Sequence, residues 1–481
     1  MDGPPEDTIC AVATPAGEGG IGIVRLSGPG ALAVAEQIVR LRSGRSLRSA
    51  PSHTLHLADI LAPDVPSGTG GSVRIHTPYR DRVIDEGLVV FMKGPRSFTA
   101  EDVVEMHCHG SGVVLGRVAE SCLSAGARLA QPGEFTKRAF LNGRLDLTQA
   151  EAVLDTIKAK SEQGLKVAQR HLRGDLGKLV DRLRARIVGI LAQVEAGIDF
   201  VEEDISFIGR QALIAALEEA LDEIRVVLRT AESGRVLREG ARVVIVGRPN
   251  VGKSSLLNRL VGDERAIVTH MPGTTRDVIE ESVVLDGLMI TLVDTAGLRE
   301  TTDMVEQEGI KRTRAAREQG DLVLHVLDAA ELAEENLDAY LAASGGRTDM
   351  VLINKSDLVN TASLQRLTGL VEGRTDCLVL QLSARTGSGL DELKRAIRSQ
   401  LSRVSLESDE GVVLTNVRHR LALERAALSL REALDATRKA VEPEFVAMDL
   451  RGAADALGEI TGVITSDEIL DTIFSQFCIG K

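Results

Sequence analysis

Short apolar runs separated by turn-forming residues fill the first 118 positions of the chain. The runs cover 9–13, 21–26, 88–92 and 103–107, and Gly, Pro and Ser interrupt them, as in 63–72. Runs of this length between such breaks are typical of β-strands. The pattern therefore predicts an α+β region at the beginning of the chain.

A helical pattern replaces it in residues 148–199. Apolar side chains there recur at spacings of three and four, which aligns them on one face of a helix. They are Leu172, Leu176, Leu179, Leu183, Ile187, Ile190 and Val194. Gly174 and Gly177 interrupt this pattern. Because glycine is a poor helix former, we expect a break near the pair.

From residue 242 the pattern changes again, to short runs that are apolar throughout and alternate with helical segments. Strands buried on both faces are what a parallel α/β sheet requires. The runs are 243–246, 289–293, 322–327, 351–353 and 378–382. After a polar segment, helices are predicted over 416–439, 443–459 and 466–476. Thr465 and Glu468 fit a capping box that opens the last helix.

Together these patterns predict a multidomain protein of class α+β and α/β. We assign an N-terminal α+β domain to 1–119, a discontinuous helical domain to 120–239 and 403–481, and an inserted α/β domain to 240–402. Insertion is physically reasonable where the two termini of the inserted domain lie close together. A length of 481 residues agrees with this division.

Composition is that of a soluble globular protein, with 43% hydrophobic and 26% charged residues and a net charge of −13. No apolar run reaches the roughly 18 residues of a membrane helix, and the acidic, Pro-rich start is unlike a secretory signal. The 5 cysteines are scattered and odd in number, which excludes a disulfide framework. We therefore expect a cytoplasmic protein without a membrane partner.

A phosphate-binding loop follows the first strand of the α/β region. Residues 247–254 read Gly-Arg-Pro-Asn-Val-Gly-Lys-Ser and match G-x-x-x-x-G-K-[ST]. Glycines let backbone N–H groups turn towards phosphate oxygens, Lys253 brings a charge to the β- and γ-phosphates, and Ser254 offers an oxygen to Mg²⁺. The segment is predicted to bind a nucleoside triphosphate.

Three further motifs, each at the end of a predicted strand, point to guanine. Asp294-Thr-Ala-Gly297 suits Mg²⁺ and the γ-phosphate. The carboxylate of Asn354-Lys-Ser-Asp357 can accept both N–H groups of guanine and reject adenine, and Ser383-Ala-Arg385 can close over the base. Open α/β sheets bind ligands at this edge. The four motifs in this order predict a GTP site.

One feature of the catalytic machinery of Ras-like GTPases is missing. Leu298 follows Gly297, where those proteins have a glutamine that orients water. A leucine cannot hydrogen-bond water, so another group must position the nucleophile and offset the growing charge. The side-chain oxygen of Asn250 can bind a monovalent cation beside the phosphates. The segment 269–277 can add oxygens, and its alternative interpretation is an ordinary surface loop.

These motifs resemble those of the tRNA modification GTPase MnmE (TrmE) family, and the resemblance covers essentially the whole chain. The Cys-x-Gly-Lys sequence at 478–481 is its most specific mark, since other GTPases of the group lack it. It stands in the matching segment 477–481, and the other matching segments outside the phosphate loop are 7–9, 13–15, 19–25, 97–102, 132–142, 145–152 and 272–277.

The resemblance implies an N-terminal tetrahydrofolate-binding and dimerisation domain, a helical domain and an inserted Ras-like P-loop GTPase domain. It implies a homodimer that forms a heterotetramer with the flavoprotein MnmG. That complex adds a carboxymethylaminomethyl or aminomethyl group at carbon 5 of the wobble uridine of certain tRNAs. The implied cofactors are GTP, Mg²⁺, K⁺ and 5-formyl- or methylene-tetrahydrofolate. K⁺-dependent pairing of the GTPase domains would activate hydrolysis, and K⁺ would stand where other GTPases have an arginine finger.

The resemblance also implies the site residues. Glu306 would orient water, Lys253 would contact phosphate, and Cys478 would be a functional thiol. The implied Mg²⁺ ligands are Ser254 and Thr275, and the K⁺ ligands are Asn250, Thr269, Met271 and Thr274. The folate residues are Arg25, Glu105, Arg144 and Lys481. The GTP residues are Asn250, Val251, Gly252, Lys253, Ser254, Ser255, Thr269, His270, Met271, Pro272, Gly273, Thr274, Thr275, Asp294, Thr295, Ala296, Gly297, Asn354, Lys355, Asp357, Ser383, Ala384 and Arg385.

Two weaker candidates have open interpretations. His107 and His109 alternate on a predicted strand and can face one metal ion, although no third ligand is evident. Residues 137–186 hold 12 Lys/Arg against 6 Asp/Glu, a local balance of +6. Because clustered cations attract phosphate, this stretch is either a tRNA contact or a solvated helix face. The candidate contacts are Lys158, Lys160 and Arg170.

Two other functions stay open. A GTPase switch in ribosome assembly would share the nucleotide motifs but would have no use for a folate domain or for residues 478–481. A folate-dependent aminomethyl transferase with a regulatory GTPase differs from the first interpretation in not requiring MnmG.

Overall fold

The computed structural model describes most of the chain, as two compact units. The first unit comprises Met1–Leu154, His171–Asp181 and Gly458–Lys481, and the second comprises Asp155–Arg170 and Arg182–Leu457. Within the described ranges, no helix meets the length and apolarity of a membrane span. Those ranges are 7–63, 82–199, 208–263, 279–285, 288–294, 318, 320–332, 335–343, 347–405 and 411–481.

A sheet of seven described strands forms the core of the first unit. They are β1 (Ile9–Val12), β2 (Gly19–Ser27), β3 (Val39–Leu41), β4 (Leu55–Leu61), β5 (Val83–Met92), β6 (Val103–Gly110) and β7 (Arg128–Leu129). Their order is β3-β4-β5-β6-β2-β1-β7. Neighbours run antiparallel, except that β1 and β7 are parallel.

Alternation along the central strands gives this sheet two different faces. On β6, Val104 and Met106 are fully buried, whereas Glu105 and His107 point to the opposite face. Helices α1 (Ala31–Ile38) and α2 (Gly112–Ser124) complete the apolar core on the buried face. Polar candidates such as Glu105 therefore share the other face.

The long helical region breaks where the glycine pair predicts. Its helices are α3 (Glu134–Leu141), α4 (Leu147–Lys158), α5 (Glu162–Leu172), α6 (Asp175–Asp199), α7 (Arg210–Leu228) and α8 (Ala231–Glu239). Gly174 lies between α5 and α6 with φ of +83°, a left-handed value that favours glycine. Gly177 instead lies inside α6, where an added Cβ would come 2.3 Å from Asp146 Oδ2.

A sheet of six described strands organises the inserted region. They are β8 (Ala241–Val246), β9 (Ile279–Leu285), β10 (Leu288–Asp294), β11 (Leu322–Asp328), β12 (Met350–Asn354) and β13 (Leu378–Gln381), in the order β13-β12-β11-β8-β10-β9. Neighbours are parallel except β9 and β10. All five predicted strands of this region are confirmed, and β11 and β12 are buried along their whole length. The accompanying helices are α9 (Lys253–Asp263), α10 (Leu337–Ala343), α11 (Thr361–Glu372) and α12 (Leu390–Ser405).

The three final predicted helices are present as α13 (Val417–Arg438), α14 (Pro443–Thr461) and α15 (Asp467–Phe474). The predicted capping box is wrong. The N-cap of α15 is Ser466, whose hydroxyl accepts from the N–H of Ile469, while the Thr465 hydroxyl contacts the carbonyl of Ser466. Because the cap lies one residue later than predicted, Glu468 is not in the position that closes a capping box.

The sequence patterns did not predict four of the described strands, namely β3, β4, β7 and β9. The predicted boundary between residues 119 and 120 falls inside α2, which buries Cys122 in the core of the first sheet. The fold class, with α+β and α/β parts and separate helices, is confirmed. The division into four sequence segments stays a prediction.

Candidate functional site

The loops predicted to bind GTP lie at the carboxyl ends of neighbouring strands. The phosphate loop follows β8, and Asp294 and Asn354 end β10 and β12. Residues 383–385 follow β13. Later strands lie on both sides of β8, so the phosphate loop leaves the sheet where the strand order reverses. Open α/β sheets bind ligands at this switch point.

The phosphate loop is held by Lys253. Positive φ angles occur at Gly247, Asn250 and Gly252, which curl the backbone. Lys253 begins α9 and is 5% exposed. Its Nζ donates to the carbonyl of Gly247 at 2.8 Å and to that of Arg248 at 2.7 Å. The cation is therefore fixed inside the loop at a helix N-terminus, which favours phosphate.

Asn354 joins the phosphate loop to the loop after β13. Its Nδ2 donates to the carbonyl of Val251 at 2.8 Å, and its Oδ1 accepts from the N–H of Ala384 at 3.0 Å. Asn354 is 1% exposed, so both bonds are shielded from water. A Cβ at Gly252 would lie 2.3 Å from Asn354 Nδ2, which explains the glycine at that position.

The guanine-recognition residues lie next to one another. Asp357 is exposed, and the Ser383 hydroxyl donates to its Oδ1 at 2.6 Å. The same hydroxyl accepts from the N–H of Thr386, which fixes its position. Ala384 is buried and Arg385 is exposed. An oriented, accessible carboxylate is the group that can accept two N–H donors from a base edge.

Sequence reasoning missed a residue that holds Lys355. Asp328 ends β11 and is 1% exposed, and its Oδ2 lies 2.6 Å from Lys355 Nζ. Its Oδ1 accepts from the N–H of Ala330 at 2.9 Å. Lys355 has φ of 61°, a left-handed value that is strained for a residue with a Cβ. An aspartate ending a buried strand was the only signal available.

Some predicted nucleotide residues fall outside the described part of the chain. They are Thr269, His270, Met271, Pro272, Gly273, Thr274, Thr275, Thr295, Ala296, Gly297 and Glu306. For Asp294 only the backbone at the end of β10 is described. The roles of these residues stay predictions.

Two of the predicted folate residues form a pair in the first unit. Arg25 on β2 and Glu105 on β6 face each other in register, with Arg25 Nε 2.7 Å from Glu105 Oε1. His107 Nε2 lies 3.3 Å from the other carboxylate oxygen. The Arg25 guanidinium also lies 5.6 Å from the ring centre of Phe135. The pair is partly buried, with 15% and 16% of the side chains exposed.

The segment 477–481 reaches this pair through Gly480. The carbonyl of Gly480 accepts from Arg25 Nη1 at 3.2 Å. Gly480 has φ of +95°, and a Cβ there would lie 2.5 Å from the carbonyl oxygen of Val12. The carbonyl of Cys478 accepts from the N–H of Gly133, while the Cys478 side chain is exposed. Lys481 directly follows the residue whose carbonyl contacts Arg25.

Arg144 lies in the same region, against Phe98. Its guanidinium is 5.3 Å from the Phe98 ring centre, and its Nη1 donates to the Phe98 carbonyl at 2.6 Å. The Arg25 guanidinium is 5.8 Å from the same ring. The structure thus brings Arg25 and Arg144 to the Phe98 ring and Glu105 to Arg25, and Lys481 directly follows the residue that contacts Arg25.

The basic stretch contains a cation that cannot reach a nucleic acid. Arg138 is 1% exposed and pairs with Asp7, Glu101 and Glu134 at 2.7–3.3 Å. Burial would raise the pKa values of Asp7 and Glu134, but hydrogen bonds from Arg128 and Arg138 bring both below their ordinary range. The local balance of +6 therefore overstates the charge offered to solvent.

The histidine pair does not form a metal site in the described residues. His109 Nδ1 lies 2.8 Å from Asp85 Oδ1, whereas His107 contacts Glu105. Burial raises the pKa of Cys108, between them, to about 12. Among the side chains that the structure describes, no group of three possible ligands is suitably placed.

Comparison with known proteins finds matching family models and solved structures. Two family models match: MnmE helical domain over 147–478 and GTP-binding protein TrmE N-terminus over 8–144. The G domain of FeoB from Methanococcus jannaschii is 27% identical and covers 34% of this chain and 98% of its own, with a TM-score of 0.24.

Similarity to curated proteins extends over the full length. The tRNA modification GTPase MnmE of Heliobacterium modesticaldum is 48% identical over 99% of both chains. Proteins of the same name from Symbiobacterium thermophilum and Clostridioides difficile are 48% and 44% identical over 99% of this chain and 100% and 99% of theirs. The chain belongs to the tRNA modification GTPase MnmE family.

Proposed function

We propose that this GTP-hydrolysing enzyme of tRNA modification depends on K⁺, which activates hydrolysis as two GTPase domains pair. Leu298 supports the proposal, because this position lacks a side chain that can orient water. The implied water-orienting residue is Glu306. Lys253 contributes a fixed charge to the β- and γ-phosphates, and Asp357 selects guanine.

The described residues fit the implied cations. Asn250 and Ser254 offer neutral oxygens, the donors that K⁺ and Mg²⁺ accept, and both side chains are exposed in the phosphate loop. Bound K⁺ would supply positive charge beside the phosphates. The further proposed K⁺ ligands are Thr269, Met271 and Thr274, and Thr275 would join Ser254 at Mg²⁺.

We propose that the Arg25–Glu105 pair, Arg144 and Lys481 bind a tetrahydrofolate derivative that supplies the one-carbon unit. A carboxylate can pair with the pterin edge, and cations suit the glutamate tail. The chain would act in the cytoplasm as a homodimer with MnmG, on the wobble uridine of tRNA. Cys478 is an exposed thiol beside this region and is a candidate for a role in the modification.

The observation that carries the proposal is that Gly480 meets Arg25, which connects the family-specific segment 478–481 to the candidate folate residues. A switch in ribosome assembly would need neither. Mass spectrometry of tRNA nucleosides from cells lacking the chain should show loss of the wobble modification. Normal nucleosides with altered ribosome profiles would favour the switch instead. The same deletion should also be made in cells that lack MnmG. If it changes the nucleosides only in cells that contain MnmG, the MnmG-independent transferase is excluded.

The cation requirement is tested by GTP hydrolysis in KCl and NaCl at equal ionic strength. We expect the full chain to be faster in K⁺ by at least about tenfold, because a fixed positive charge beside the phosphates lowers the barrier. Asn250→Ala should lose this difference. Asn360→Ala, which removes the N-cap of α11 outside the phosphate loop, should keep it. Equal rates in both salts would reject the K⁺ proposal.

A further inference from the structure

A cavity of about 660 Å³ lies in the same unit of the chain as the Arg25–Glu105 pair. Its volume is in the range of sites that bind small organic molecules. Its lining residues come from the segments around 53, 92–100 and 142–144. Phe98 and Arg144 are among them, so the cavity includes one candidate folate residue and a ring that the Arg25 guanidinium also approaches.

The charged side chains that line this cavity are positive. Arg96 and Arg144 both line it, and none of its described lining residues is acidic. Arg96 is exposed and makes no ion pair among the described residues. A guanidinium binds a carboxylate through two parallel N–H bonds, which makes two of them a receptor for a ligand with several carboxylates.

The wall that carries these arginines is fixed by hydrogen bonds. His53 Nε2 lies 2.5 Å from the carbonyl of Arg96, and the Ser97 hydroxyl donates to the carbonyl of Glu101 at 2.5 Å. On the opposite side, Asn142 Nδ2 donates to the carbonyl of Thr99 at 2.7 Å. A wall fixed before binding loses little entropy when a ligand arrives.

Phe98 connects the cavity to the partly buried pair. The Arg25 guanidinium is 5.8 Å and the Arg144 guanidinium 5.3 Å from its ring centre. A ligand whose polar ring system is held at Arg25 and Glu105 can therefore extend past Phe98 to Arg144 and then to Arg96. Its extended part must carry negative charge at more than one point.

We propose that the cavity binds the tail of a polyglutamylated tetrahydrofolate, with Arg144 at the first glutamate and Arg96 at the following, γ-linked glutamates. This inference rests on the proposed folate use and adds a preference for the length of the tail. Arg96 is then a specificity-determining residue, since a folate with one glutamate does not reach it.

The test compares affinities of the full-length chain for tetrahydrofolate with one and with three glutamates, by calorimetry at low salt. We expect tighter binding of the triglutamate. Arg96→Gln should weaken the triglutamate by about threefold to tenfold, the effect of one partly exposed charged contact, and leave the monoglutamate unchanged. Arg144→Gln should weaken both ligands.

Controls separate a local effect from a general one. Arg117→Gln makes the same charge change on α2, on the other face of the sheet, and should retain the preference for the triglutamate. Arg96→Lys should restore part of it. Equal affinity of the wild-type chain for both ligands, or a preference that survives in Arg96→Gln, would overturn the tail site while leaving folate binding intact. Failure to bind either ligand would reject the proposed folate use itself.

Discussion

At the scale of single residues, Asp328 shows how a buried charge can act on an exposed site. Its carboxylate is 1% exposed, and one oxygen holds Lys355 Nζ at 2.6 Å while the other accepts a backbone N–H. Lys355 belongs to the guanine-recognition motif and has a strained backbone. A lysine whose ammonium is pinned can lay its alkyl stem along a base without losing further side-chain entropy on binding.

We predict that Asp328→Asn weakens GDP and GTP binding by the same factor, about fivefold to thirtyfold. The asparagine can still accept from Ala330 but no longer attracts Lys355. Since the lost contact concerns the base, kcat at saturating GTP should not change. Fluorescence titration with a labelled guanine nucleotide measures the affinities.

The same change in a Lys355→Ala background should cost no further affinity if Asp328 acts through Lys355. Asp338→Asn is the matched control, because it alters an exposed ion pair with Arg374 in the same unit. An equal loss in both backgrounds would mean that Asp328 only supports the fold.

Arg138 is the second residue whose effect can be predicted from burial. It is 1% exposed among three carboxylates, and removing one partner of a buried ionic group leaves the others uncompensated. Arg138→Gln should therefore lower the local stability of β1 and β2 by about 3 kcal/mol at pH 7. Hydrogen exchange of peptides from residues 8–27 of the full chain measures this.

The loss should shrink in acid. The pKa values of Asp7 and Glu134 are lowered in the folded chain, so their stabilisation is complete above the ordinary carboxyl values and disappears as the pH falls through the lowered ones. Wild type and Arg138→Gln should therefore approach each other below about pH 4. A difference that stays constant from pH 7 to pH 3 would contradict the ionic origin.

At the scale of elements, two of the three glycines in helix α6 have opposite surroundings. A Cβ at Gly177 would meet Asp146 Oδ2 at 2.3 Å, whereas nothing lies within 4 Å of a Cβ at Gly189. Asp146 accepts from Thr148 and Gln149 at the beginning of α4, so it cannot move away without losing those bonds.

We predict that Gly189→Ala stabilises the chain by about 0.5–1 kcal/mol, because alanine has the higher helix propensity. Gly177→Ala should destabilise it by about 1–3 kcal/mol despite the same gain in propensity. Thermal unfolding of the two variants beside the wild type should rank them in this order. A more stable Gly177→Ala would show that α4 and α6 do not pack as closely as described.

In the second sheet, the strands that the sequence predicts are continuous apolar runs. Strands β8 and β10 to β13 are apolar runs and were predicted, whereas β9 carries Glu280 and Glu281 and pairs antiparallel at the edge of its sheet. β7 has only two residues, too few for any pattern. Motif spacing predicted the loops around β8. The roles of Asp328 and Arg96 depend on contacts between segments that are distant in the sequence, and motif spacing gives no information on such contacts.

At the scale of the whole molecule, two segments that are far apart in the sequence contact each other within the first unit. Arg25 and Gly480 are 455 positions apart and share a hydrogen bond, and Gly480 lies against Val12 of β1. Folding must therefore close a very long loop to complete the candidate folate residues. The family-specific segment 478–481 thus has a structural contact with Arg25, which its sequence alone does not reveal.

Gly480→Ala should disturb this contact more than an ordinary glycine substitution. Its Cβ would lie 2.5 Å from the carbonyl of Val12, and its φ of +95° is strained for alanine, so the carbonyl that accepts from Arg25 must shift. We expect faster hydrogen exchange in residues 477–481 and folate affinity lowered by about tenfold. GTP hydrolysis in K⁺ should not change, since the contacts of Gly480 with Val12 and Arg25 lie within the first unit, apart from the nucleotide loops in the sequence. Gly126→Ala, with φ of +107° and nothing within 4 Å, has the backbone strain without the collision and should keep its folate affinity. If both variants lost affinity equally, backbone strain in this unit, and not the contact with Arg25, would be the cause.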